Sequence, residues 1–128
     1  MNTSAQAVGS RRAVSGMLSS FLITLFLAGC AQNPDIRIGH DYTSGTTAKS
    51  PQHYTACVQD ELRGSSKTYI QEDGGTLKLY LESTDPNKAS GLVEVSGSGG
   101  QHQFSAYQRD AWYDKGRLLD AALVCSNT

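Results

Sequence analysis

Lys67-Thr68-Tyr69-Ile70-Gln71-Glu72 and Thr76-Leu77-Lys78-Leu79-Tyr80-Leu81-Glu82, joined by Asp73-Gly74-Gly75, decide the fold. In the second run Leu77, Leu79 and Leu81 share one face while Lys78 and Tyr80 share the other. This period of two belongs to a strand with one covered side. Asp-Gly-Gly between two such runs is a hairpin signal, because the turn needs residues that tolerate positive φ. The stretch therefore predicts two antiparallel strands, 67–72 and 76–82.

Two more strands follow. Asp85-Pro86-Asn87 is a turn by composition, and Gly91 to Ser96 reads as a third strand. After the loose Gly97-Ser98-Gly99-Gly100 connection, Gln101 to Gln108 forms a fourth, with Phe104 and Ala106 inward and Ser105 and Tyr107 outward. Upstream, Ser50-Pro51 marks a helix start, Ser as N-cap and Pro at the first helical position, and Gly64 marks its end. Tyr54, Cys57, Val58 and Leu62 fall at helical spacing and form its apolar stripe.

The last segment, Arg117 to Cys125, fits two periods. Leu119, Ala121, Leu123 and Cys125 alternate as a strand would, while Leu118, Leu119, Ala122 and Cys125 suit a helix. The strand is adopted here because the segment is short and terminal. The expected fold is α+β, one N-terminal helix (51–64) packed on an antiparallel sheet of four or five strands.

The first 30 residues are organised differently. Arg11 and Arg12 precede an apolar run from Met17 to Ala28, and the run ends in Leu27-Ala28-Gly29-Cys30. A positive n-region and an apolar h-region make a secretory signal, and the terminal four residues resemble a bacterial lipobox. The run is shorter than the ~20 apolar residues of a spanning helix and polar residues follow at once. Ser10-Arg11-Arg12 approaches a twin-arginine signal, but Val14 stands where that motif prefers Phe or Leu, so general secretion is the expected route.

What the lipobox resemblance implies is specific. In that lipoprotein family the thiol corresponding to Cys30 is acylated, with palmitate among the chains, and the signal is cut between Gly29 and Cys30. Ala31 replaces the Asp of the inner-membrane retention signal of enteric bacteria, which implies an outer membrane destination, with the periplasmic face as the expected exposure. The mature chain would keep 99 of 128 residues, with nine Lys and Arg against twelve Asp and Glu. This is one small domain, net charge −3, without the basic stripe of a nucleic-acid binder.

With Cys30 assigned to lipid, Cys57 and Cys125 remain. An even pair in a small exported domain is most simply a disulfide. A catalytic thiol or a metal ligand is the competing reading, and neither cysteine lies in a Cys-x-x-Cys motif. Residues 31–50, polar with only Ile36 and Ile38 as large aliphatics, read as a flexible tether between Cys30 and a domain of residues 51–128. The order Tyr54-x-x-Cys57-Val58, a Gly-Gly hairpin and a cysteine near the C-terminus resembles small single-disulfide proteobacterial lipoproteins of unassigned function. That resemblance supports the fold and carries no activity.

No set of residues assembles into chemistry. His40, His53 and His102 match no zinc spacing, and no metal or cofactor is expected. Ser96-Gly97-Ser98-Gly99-Gly100 lacks the strand-to-helix context of a nucleophile elbow, and no Lys completes it as a phosphate loop. Asp60-Glu61 and Glu72-Asp73 read as solvated charges.

Trp112 and Tyr113, with Tyr107 and Arg109 nearby, form one candidate contact cluster, since aromatic residues and arginine are enriched at interface hot spots. The competing reading has Trp112 closing the open end of the core. The expected function is a non-enzymatic, membrane-anchored envelope lipoprotein, held by its lipid and binding an envelope protein or ligand. The alternative is a periplasmic inhibitor of a lysozyme or other envelope hydrolase.

Overall fold

A computed structural model describes residues 34–38 and 41–128. The signal peptide, the lipobox with Cys30, and His40 lie outside the described residues. The described chain is one compact unit beginning at Pro34, in chain order β1 (Asp41–Thr47), α1 (Pro51–Glu61), β2 (Thr68–Asp73), β3 (Thr76–Leu81), β4 (Gly91–Ser96), β5 (His102–Gln108), a single turn α2 (Ala111–Asp114) and α3 (Arg117–Asn127). The five strands form one antiparallel sheet in the order β1-β5-β4-β3-β2. The fold is α+β.

The β2–β3 hairpin forms as its sequence requires. Asp73 pairs with Thr76 across Gly74 and Gly75, whose φ values of 58° and 83° suit only a primed turn. Leu77, Leu79 and Leu81 face the helices, while Tyr80 faces the other side. In the neighbouring ladders Leu79 pairs with Val93, and Val93 with Ala106, so one face of three strands is continuously apolar.

Helix α1 starts where Ser50 Oγ accepts the His53 N–H at 3.2 Å, with Pro51 behind it. Tyr54, Val58 and Leu62 are buried against the sheet, and the Tyr54 ring stacks on Phe104 at 5.1 Å. Thr55, outside the predicted stripe, is buried too, its hydroxyl donating to the Pro51 carbonyl at 2.9 Å.

The C-terminal segment is a helix, not the expected strand. Leu118, Ala121, Ala122 and Cys125 are buried in the i, i+3, i+4, i+7 pattern, while Leu123 and Val124 face out. The reason is coverage. Helix α1 packs on β3 and β4, and α3 packs beside it on β5 and β1, so the sheet's inner face is shared between two helices. The Cys57–Cys125 disulfide, with Cα atoms 5.8 Å apart, joins helix to helix.

Among the described residues of the expected 31–50 tether, 34–38 and 41–47 are built into the domain, so the domain start expected at 51 is also corrected. Residues 41–47 form the edge strand β1, paired along its length with β5. Upstream, Ile36 is fully buried on the outer face of the sheet with Tyr80, Ala89 and Leu92. Its N–H donates to the Pro86 carbonyl at 2.9 Å. Arg37 lies between Asp35 and Glu94, at 2.9 and 3.0 Å. Burial works against its charge, but the Glu94 hydrogen bond and the charges of Glu94 and Asp35 outweigh it and hold the guanidinium above its usual range.

Two glycines are fixed by packing. A Cβ on Gly45 would meet the Phe104 ring at 3.0 Å, and one on Gly91 would meet Leu118 Cδ2 at 2.5 Å. The first lets β1 lie over the Phe104 ring of β5, and the second lets α3 begin directly on the sheet.

Candidate functional site

The site grows from the end of β5. Strand alternation turns Gln108 toward the helices and Tyr107 and Arg109 to the other side. Gln108 is buried, and its amide joins two elements. Oε1 accepts the Leu118 N–H at 3.0 Å and that of Leu119 at 3.4 Å, while Nε2 donates to Asp114 Oδ1 at 2.7 Å. The same Asp114 oxygen accepts the Arg117 N–H at 3.2 Å. Helix α3 begins at Gly116, which has no side chain to cap it, so Gln108 and Asp114 satisfy the first N–H groups instead.

Between Gln108 and α3 the chain makes the single turn α2. Asp110 and Lys115, on either side of it, have φ of 54° and 61°, a left-handed conformation that costs a residue with a Cβ about 1–2 kcal/mol. The Gly116 N–H donates to the Ala111 carbonyl at 2.8 Å and closes the turn. Ala111 points into the core, while Trp112 and Tyr113 are 79% and 81% exposed and meet edge to face with centroids 6.0 Å apart. Trp112 does not close the core.

Beside the turn lies an open groove of about 450 Å³ lined by Leu62, Leu81, Ser90, Trp112, Tyr113 and Arg117, among others. It separates the end of α1 from the start of α3. Arg109 also borders it, but its guanidinium reaches the other side of the sheet and donates to the carbonyls of Ala89 at 3.1 Å and Pro34 at 3.3 Å.

The structure thus brings Trp112, Tyr113 and Arg109 to one end of the domain and takes Tyr107 away. Tyr107 packs on the outer face, its ring stacked on Tyr42 at 6.2 Å. Gln108 is the residue that sequence reasoning missed. A buried glutamine at a strand end has no pattern of its own. The available clue was that the helix eight residues later starts on a glycine that cannot cap it.

The remaining candidates stay apart. His53 is exposed on α1, and His102 lies on β5 with a buried Nδ1 that has no hydrogen-bond partner. Asp60 pairs with Arg63, and Asp73 with Lys78 at 3.3 Å. Among the described residues no three of His, Cys, Asp and Glu come together as metal ligands, and no helix is long and apolar enough to cross a membrane. No protein-family model, curated protein or solved structure matches the chain.

Proposed function

We propose that this chain is a lipid-anchored envelope lipoprotein, cut before Cys30, acylated on that thiol and retained at the outer membrane as a small non-enzymatic binding module. The observation that carries the reading is Leu27-Ala28-Gly29-Cys30 at the end of an apolar run behind Arg11-Arg12. Two acyl chains are enough for stable anchoring, whereas one binds only marginally.

Two further observations support it. The other two cysteines are joined to each other, which leaves Cys30 alone in the chain without a disulfide role. A disulfide within a small domain also fits an oxidising compartment such as the periplasm. The contact site of the module is the groove beside Trp112 and Tyr113, where two exposed aromatic rings stand on a turn pinned by Gln108 and Asp114.

Cys30→Ser tests the anchor. The substituted chain should move from the membrane fraction to the soluble fraction with its Cys57–Cys125 disulfide intact. A chain that stays with the membrane contradicts the reading.

A further inference from the structure

We propose that the Trp112–Tyr113 turn is a membrane seat, and that the surface covering it is the lipid headgroup region of the bilayer to which Cys30 is anchored. The inference rests on the lipid-anchor reading and names the partner of the same site.

Position is the first argument. The Arg109 guanidinium holds the Pro34 carbonyl at 3.3 Å, and Trp112 follows Arg109 by three residues. The chain leading back to Cys30 therefore enters the domain at the end that carries the two aromatics. Three residues lie between Cys30 and Pro34, and at full extension the four residue steps span at most about 14 Å. A domain held on so short a connection keeps its entry end close to the bilayer, and the entry end is the Trp112 end.

Chemistry is the second. Trp and Tyr concentrate at membrane–water interfaces because each ring is apolar with one polar handle. Trp112 and Tyr113 are the two most exposed of the large hydrophobic side chains described. They are not loosely hung. The turn that projects them is closed by the Ala111–Gly116 hydrogen bond and tied to the core by Asp114 and Gln108, so little ordering is left to be done on contact. Between residues 109 and 117, Arg109, Lys115 and Arg117 stand against Asp110 and Asp114. Such a balance gives no strong pull toward anionic lipid, so the seat is aromatic and should form on zwitterionic bilayers as well.

Trp112 is the only tryptophan and reports on itself. The full processed chain is reconstituted in phosphatidylcholine vesicles with and without brominated acyl chains, and Cys30→Ser in buffer serves as the water-exposed reference. The expected result is a blue-shifted Trp112 emission, strong quenching by brominated lipid and loss of most of the iodide quenching seen in the reference. A Trp112 that iodide reaches equally in both states overturns the proposal. So does one shielded from iodide yet untouched by brominated lipid, which would be covered by protein. The mass of the same preparation separates the two levels. Acylated Cys30 with a water-exposed Trp112 overturns the seat alone, whereas Cys30 without acyl chains overturns the anchor and the seat with it.

Discussion

Replacing both Cys57 and Cys125 with alanine removes the link between α1 and α3, and its cost can be worked from the loop it closes. The bonded residues are 68 apart. On the chain-entropy model, opening such a loop releases about 15 cal/mol/K to the unfolded chain, or about 4.4 kcal/mol at 25 °C. Domains of this size have a net stability of about 5–15 kcal/mol, so the substitution should leave a fold that persists with little margin. Cys125 is fully buried and Cys57 partly so, and alanine keeps most of their volume.

Urea unfolding followed by circular dichroism measures the effect. At a slope of roughly 1.5 kcal/mol/M the midpoint should fall by about 3 M. The slope itself should rise, because an unlinked unfolded chain exposes more surface. Reduction of the native protein should reproduce both changes. A loss of stability below about 1 kcal/mol, or an unchanged slope, would refute the view that the disulfide acts on the unfolded chain.

Three further outcomes are expected. Ile36→Ala should lower stability by about 2–4 kcal/mol in the same titration, because it empties a buried position on the outer face of the sheet; a residue in a free tether would show no change. Gln108→Ala should cost about 1–3 kcal/mol by leaving the Leu118 N–H without its acceptor, and amide exchange at Leu118 and Leu119 should quicken more than at β3. Tyr54 tests the core by pH. Burial raises its phenol well above the usual range, so the unfolded chain loses this proton near pH 10 while the folded chain keeps it. The stability tied to the neutral phenol is whole below about pH 10 and falls as pH rises toward the folded value. Tyr54→Phe should cost about 1 kcal/mol at neutral pH, from the lost 2.8 Å bond to the Ala122 carbonyl, and should flatten the alkaline loss.

The parts legible in the sequence are those whose side chains declare their own period. Leu77, Leu79 and Leu81 alternate, Gly74-Gly75 fits a single turn type, and Ser50-Pro51 fixes a helix start, so the hairpin and α1 stand close to where they were expected. Strand β1 carries no such pattern. Of its seven residues only Thr47 is buried, and the strand is held by backbone pairing and by Gly45 lying under Phe104, neither of which composition reveals.

The sequence of α3 is ambiguous because its alternating and helical sets share Leu119 and Cys125 and each is completed by one of the adjacent Ala121 and Ala122. The deciding fact was tertiary: one helix cannot cover the inner face of five strands. At the site, the Trp112–Tyr113 cluster with Arg109 was visible as residue types, but strand alternation carried Tyr107 to the opposite face. Gln108, whose role depends on a contact with a later helix, left no local trace.

The proposed function turns on whether Cys30 carries the lipid that holds this domain to its membrane. Intact mass of the chain extracted from membranes, with fragmentation of its N-terminal peptide, tests it most directly. The expected chain begins at Cys30, carries two or three acyl chains on that residue, and has Cys57 joined to Cys125. A chain that retains residues 1–29, or one cut before Cys30 but free of acyl mass, would contradict it.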